Sequence, residues 1–363
     1  MSTFSFKTAI LDSFPKSDLS KGLWGGVVND FYKSHPETFR YPTSIKALLK
    51  TTQWPQNYTR LEDYPNLSTL QWSHEAQGLT NDSNHWFITQ KDRVWKFPVG
   101  HDLDEAPGKG VASSAIPQLL LDEELNHYGD LDFFQGHLYI PAAIYPWKHI
   151  PEEEDRPPGR IALYNAQSLS FIAASETLTT QGYSVGWCAV NPLNGLLYSS
   201  HSAIEAQYQS NFLYVYERTL TTDAKGKVNG LNLTLLGNFK LWDENNSKFK
   251  ISGIQGGVFS KQGHLYLVNH DSDLEKAGIY GFDMITGRKI LYKKIEYSAS
   301  KPTSEELEGI TIWDLDSGAS PGIGGQIHVI LLDNEFTSDV VEIWGDDVSI
   351  LHFRVSSGDK NKI

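Results

Sequence analysis

One segment template recurs five times along this chain, and a repeat of that size restricts it to architectures that stack one supersecondary unit on copies of itself. In each copy a polar turn leads into an apolar strand, a short turn follows, and a second strand comes after. The copies are centred on Leu79, Leu131, Val190, Val258 and Ile310, which lie 52, 59, 68 and 52 residues apart. Three copies share a Gly-x-Leu-Tyr turn into the second strand, ending at Tyr139, Tyr198 and Tyr266. A third strand continues in register at 93–97, 160–165, 212–217, 278–283 and 350–355. A fourth follows in four copies, at 115–121, 171–178, 233–241 and 289–297. The last copy has none of its own. Residues 67–73 (LSTLQWS) stand where a fourth strand belongs but have no blade before them. Pairing them with the last copy closes a ring and removes two open sheet edges. The expected fold is all-β: a five-bladed β-propeller with four-stranded blades, its last blade closed by an N-terminal strand. It would span residues 67–363, with 1–66 as an N-terminal extension packing on it. A six-bladed propeller is the alternative.

Composition agrees. Aromatics make up 12% of 363 residues, while Met (two) and Cys (one) are scarce, a balance that suits pleated, ring-packed surfaces. No long amphipathic helices separate the strands after Tyr64, which excludes doubly wound and TIM-barrel folds. The net charge of −13 excludes a phosphate-backbone binder, which needs a basic footprint. No stretch is long and apolar enough to span a membrane. The first residues lack a signal-peptide pattern, so a cytoplasmic location is expected. The chain has no P-loop, no dinucleotide fingerprint and no zinc cysteine pair, so no nucleotide cofactor is expected.

In a propeller, the loops before strand one and after strand two of each blade share a face, and loops on a rigid scaffold commonly carry function. Sorting the chain this way gathers carboxylates, amides, imidazoles and a Trp on one face. Ordinary turns collect on the other. The gathered set is Glu75, His127, Asp130, Trp187, His201, Gln255, Asn269, His270, Glu308, Asp333 and Asn334. Glu75, His127, Asp130 and Glu308 are the candidate catalytic groups, as acids, bases or electrostatic helpers. Trp187, His201, Gln255 and His270 are candidate ligand-binding residues. Glu75, Asn269, Glu308, Asp333 and Asn334 offer oxygen ligands of the kind Ca²⁺ or another divalent cation takes. Cys188 is a candidate nucleophile only if a base lies beside it; otherwise it is a small apolar filler.

Glu308-Gly309-Ile310, Glu75 ahead of the first inner strand, and Val268-Asn269-His270-Asp271 after an inner hairpin resemble the calcium-dependent propeller hydrolases of the paraoxonase and gluconolactonase type. The resemblance covers repeat-sized fragments, and those families have six blades where five are counted here. It implies a ligand role for Glu75, Asn269 and Glu308. The expected function is a divalent-cation-assisted hydrolase acting on a small ester, lactone or phosphate at the mouth of the central channel. One alternative is a glycosidase using channel carboxylates such as Glu75, Asp130 and Glu308, with Trp72, Trp147, Trp187 or Trp313 stacking on sugar. Another is a non-catalytic propeller that binds a small molecule, a sugar or a protein partner, with the acidic loop 145–159 as a docking element.

Overall fold

The computed structural model describes residues 57–61, 63–65, 72–145, 156–201, 212–245, 247–271, 275–284, 286–295, 305–333 and 347–355. They form five antiparallel sheets in chain order. The first blade is β2 (Ala76–Asn81), β3 (His85–Gln90), β4 (Arg93–Pro98) and β5 (Ala112–Ala115). In the second, the inner strand is split into β6 (His127–Tyr128) and β7 (Asp132–Phe134). Both pair with β8 (His137–Ala143), which leads on to β9 (Arg160–Asn165) and β10 (Phe171–Ala174). The third is β11 (Cys188–Val190), β12 (Leu197–Ser199), β13 (Phe212–Thr222) and β14 (Val228–Lys240). The fourth is β15 (Ile254–Phe259), β16 (Leu265–Asn269), β17 (Gly278–Asp283) and β18 (Arg288–Lys294). The fifth is β19 (Glu305–Ile312), β20 (Ile327–Asp333) and β21 (Asp347–Val355), completed by β1 (Tyr58–Arg60). Each inner strand touches the next, and β19 returns to β2, so the ring is closed.

The five expected inner strands and five expected third strands all form at their expected positions. The closing strand is N-terminal, as expected, but it is β1 and not residues 67–73. Tyr58, Thr59 and Arg60 pair with Val355, Arg354 and Phe353. Trp72 and Ser73 lie in a turn, where the Trp72 indole donates to Leu103 O at 3.2 Å; 67–71 lie outside the described residues. Thus the described part of the proposed 1–66 extension supplies the ring's last strand. The fourth strand of the first blade also moves. It runs Ala112–Ala115, and Gln118–Leu121 is a helical turn, α1. Pro117 is the reason, because it has no N–H to give a ladder and its φ of −64° suits a helix start.

Hydrophobic clusters fill the boundaries between neighbouring blades. The repeated turn explains much of them. Gly136, Gly195 and Gly263 sit at φ of 82°, 70° and 78°, a left-handed conformation that glycine adopts without strain. The tyrosine that follows each of these turns is fully buried or nearly so. Tyr139 is further held by Arg218 of the next blade, whose guanidinium lies 5.0 Å from the ring centre. Each such ring contributes about 2–3 kcal/mol by burial alone.

At the axis the inner strands meet around one side chain. Asp130 Oδ1 accepts from Leu79 N–H (3.1 Å) of the first blade. Its Oδ2 accepts from Gly257 N–H (3.0 Å) of the fourth and Ile310 N–H (3.3 Å) of the fifth. Its main chain pairs with the third: Asp130 N–H donates to Gly186 O (2.8 Å), and Cys188 N–H donates to Asp130 O (3.1 Å). One residue therefore touches all four other blades. Glycines allow the approach. A Cβ on Gly78 would strike the Asp130 backbone, and one on Gly309 would come within 2.5 Å of Gly78 Cα. Burial pushes the Asp130 carboxyl well above the usual range, against the three N–H donors that hold its ionised form. Asp130→Ala is expected to lower stability by roughly 3 kcal/mol or more, since each orphaned buried donor costs about 1–3 kcal/mol. Asp130→Asn should lose less, because its amide oxygen still accepts. Urea unfolding checks this; a loss below about 1 kcal/mol for Asp130→Ala would mean that the blades close without it.

Candidate active site at the polar mouth

The inner strands of three blades begin with a β-bulge. Register shifts fall between Ala76 and Gly78, between Ile254 and Gly256, and between Leu307 and Ile310. Bulges re-aim side chains, and those set at these bulges are Gln77, Gln255 and Glu308. They link blades. Gln255 Nε2 donates to Glu308 Oε1 at 3.3 Å, and Gln77 Oε1 lies 2.9 Å from His127 Nε2. A Gln/Glu-Gly pair marks all three positions in the sequence.

Glu308 is the most perturbed group of this cluster. It is buried, with the Glu306 side chain beside it. Burial pushes its pKa well above the carboxylate range, the Glu306 and Asp130 charges push it further, and Gln255 opposes weakly. Burial and the neighbouring carboxylates thus favour the protonated form of Glu308.

Around this pair stand partly solvated groups. Glu75 sits at a left-handed φ of 49° and makes an ion pair with Lys91. That conformation is strained for a non-glycine residue, and its carbonyl accepts Lys91 N–H at 3.2 Å. His127 is pushed down to about 4 by burial and by the Lys91 charge. Its ring packs 4.9 Å from Tyr145. Tyr145 is half exposed, and its phenol is raised by burial and then by Glu306, Glu75 and Glu308. A ring rooted in the second blade thus feels carboxylates of the first and fifth. His270 is held below its ordinary value by burial, against Glu306 and Asp271.

Other expected site residues lie elsewhere. Asp130 is sealed beneath the mouth with both oxygens occupied. Trp187 is core; its indole donates to Ser200 Oγ (2.8 Å), and its six-membered ring packs against Gly257. His201 Nε2 contacts Tyr214 OH at 2.9 Å. Asn269 braces its own blade, donating to Ser252 O (3.2 Å) and accepting from Gly278 N–H (3.1 Å). Asp333 ends β20, while Asn334 and Trp147 lie outside the described residues. Trp72 and Trp313 belong to one hydrophobic core. The Cys188 thiol is buried, donates to Tyr139 O at 3.3 Å, and is pushed well above its ordinary range by burial and by Asp132 and Asp130. That is the environment of a filler.

Among the described residues, three of those expected to hold a cation have other partners. Glu75 is taken by Lys91, Asn269 by its own blade, and Glu308 by Glu306 and Gln255. Among the described residues no group of three or more His, Cys, Asp or Glu side chains is arranged to hold a metal ion. Nor, among them, is any helix long and apolar enough to cross a membrane. The sequence singles out Glu308 but not its partner Glu306, nor Lys91 or Tyr145, because their roles come from contacts across blades.

No family model matches the chain, and no curated protein matches it. Solved structures with a likeness include a luciferin-regenerating enzyme, 10% identical over 76% of each chain with a TM-score of 0.41. The Malassezia sympodialis allergen Mala s 1 is 10% identical over 83% of this chain and 84% of its own, with a TM-score of 0.41. The aldose sugar dehydrogenase of Streptomyces coelicolor, solved with bound PQQ, is 9% identical over 83% and 100%, with a TM-score of 0.36. The propeller assignment rests on the strand order itself.

A carboxyl with a raised folded-state pKa contributes stability that is fully present below its unfolded value, near 4.3. That contribution is lost as pH rises toward the folded value. Glu308→Gln should therefore gain stability relative to the native protein as pH is raised from about 4 to about 8. Infrared difference spectra between the two should show a protonated carboxyl at neutral pH. A carboxylate band in its place would remove the assignment of the proton to Glu308.

Proposed function

We propose that the mouth is a hydrolytic site that works by proton transfer through Glu308 and Glu306 on a small uncharged ligand: an ester or a lactone. The observation that carries this reading is Glu308 itself, a buried carboxyl held by Gln255 at 3.3 Å, whose pKa burial and then the neighbouring Glu306 push well above the carboxylate range. Paired titratable groups whose environments push their pKa values apart mark acid and base roles. In the reaction Glu306 takes a proton from an attacking water as its oxygen bonds to the ligand. Glu308 gives its proton to the oxygen that leaves. The proton on Glu306 then returns to Glu308, so the pair is restored and one water is consumed. Gln255 orients Glu308, and Tyr145 offers a half-exposed ring to the ligand. Phosphate fits less well, because Glu75 and Glu306 make the mouth negative and Lys91 is committed to Glu75.

The same carboxyl supports a second reading, the divalent cation expected from the sequence. Two neighbouring carboxyl groups are where a cation would enter in place of a proton. Added Ca²⁺ should then raise the melting temperature of the native protein and not that of Glu308→Gln; an unchanged melting temperature sinks the cation reading alone.

Hydrolysis is tested on chromogenic esters and lactones. Glu308→Gln and Glu306→Gln should each lower turnover by about 10²–10⁴-fold with the fold intact. Turnover that both variants retain would overturn the acid–base roles. Ligand-induced thermal stabilisation without any turnover would instead favour the binding platform.

A further inference from the structure

Two imidazoles in the fifth blade face each other away from the mouth. His328 on β20 and His352 on β21 are register partners, and both are buried. Their Nδ1 atoms are 2.9 Å apart. His328 Nε2 lies 2.8 Å from the carbonyl oxygen of Trp313, and His352 Nε2 lies 2.7 Å from that of Tyr64. A carbonyl oxygen only accepts, so each Nε2 carries a hydrogen. Two Nδ1 atoms approach to hydrogen-bonding distance only with a hydrogen between them. The three contacts in a row therefore need three N–H hydrogens, and two neutral imidazoles bring two. The other tautomer on either ring would set a nitrogen lone pair against a carbonyl oxygen, in an interior where unmatched polar groups are costly.

We infer that the His328–His352 pair is a proton-binding site that holds one proton in common, as an imidazole–imidazolium couple, and that this proton fastens the segment closing the ring. The couple lies where that segment meets the fifth blade. Just after β1, Leu61 N–H donates to His352 O (2.7 Å) and Tyr64 N–H to Ile350 O (3.1 Å). Trp313, whose carbonyl receives His328, packs on Trp86 of the first blade, and Trp86 also meets the His328 ring edge-on.

The charged neighbours are Asp316, which favours charge on His328, and Asp63, which favours it on His352. Arg354 pairs with Asp316 and Arg60 with Asp63, and the Tyr64 hydroxyl turns away to Asp102. Burial pushes both imidazoles down, and His352 opposes charge on His328. Burial thus opposes even a first proton, to about 3 at His328 and about 4 at His352, and it is the hydrogen count of the three contacts that argues for holding one; the protons of such a pair leave in separate steps.

The sign of the pH dependence separates one shared proton from none. In the unfolded chain both rings titrate near 6.5. Above that value the folded pair keeps a proton that the unfolded chain has lost, so stability falls as pH rises. The folding equilibrium constant then drops by up to about tenfold per pH unit until the pair releases its proton. Well below 6.5 the unfolded chain binds two protons to the pair's one, and stability falls as pH drops. Two neutral rings would instead give a contribution that rises through 6.5 and is flat above it.

Urea unfolding of the native protein, His328→Gln and His352→Gln from about pH 7 to about pH 9 reads this directly. The stability difference between native protein and each variant should shrink with rising pH; a flat difference overturns the shared proton. Should the variants fail to fold, ¹⁵N-histidine spectra of the native protein decide. Three nitrogen-bound imidazole hydrogens in the pair are expected at neutral pH, and two would overturn the assignment.

Discussion

The Asp130 carboxylate is the interaction on which the ring depends. The inner edge of each innermost strand faces the axis, where no further strand exists to pair with it, and its N–H groups still need acceptors. Asp130 meets that need for three blades with two oxygens and joins a fourth through its own main chain. The geometry demands close approach, which is why glycines such as Gly78, Gly256 and Gly309 crowd this side chain. Burying a carboxylate is unfavourable in itself, and the donors converging on it are what offset that burial.

The same point of convergence shapes the mouth. Where three inner strands enter the axis, each skips register by a bulge, and the side chain set at the bulge is Gln77, Gln255 or Glu308. The tight axis and the polar cluster thus arise from one backbone feature. Glu308 lies close enough to Asp130 to feel its charge, which raises the Glu308 pKa further.

Ring closure depends on a second set of polar contacts. β1 is three residues long, too short to hold a terminal strand by its ladder alone. It is reinforced by the contacts that follow it, Leu61 with His352 and Tyr64 with both Ile350 and His352. A hydroxyl contact of 3.4 Å also links Tyr58 to Tyr266 of the fourth blade. This explains why residues 67–73 were the more visible candidate in the sequence. They stand directly before the first inner strand, where a fourth strand belongs, whereas Tyr58–Arg60 pairs through backbone groups that no side-chain pattern reports.

The sequence by itself determined the blade. The spacing of Leu79, Leu131, Val190, Val258 and Ile310, the Gly-x-Leu-Tyr turns and the strand runs are local signals, since alternation and left-handed turns are properties of neighbouring residues. They sufficed for the number of blades and for placing the inner and third strands. The tertiary structure alone decided what happens where the copies meet. Asp130 reads in sequence as a polar mouth residue and a candidate for chemistry. It becomes a hub because Leu79, Gly257 and Ile310, which lie 51, 127 and 180 residues away, bring their N–H groups to it. Glu308 acquires its raised pKa, and Trp187 and Asn269 their structural roles, through burial and partners that depend on closure of the whole ring. Periodicity encodes which face of a strand is apolar; it does not encode which polar atoms from five separate blades will share one axis.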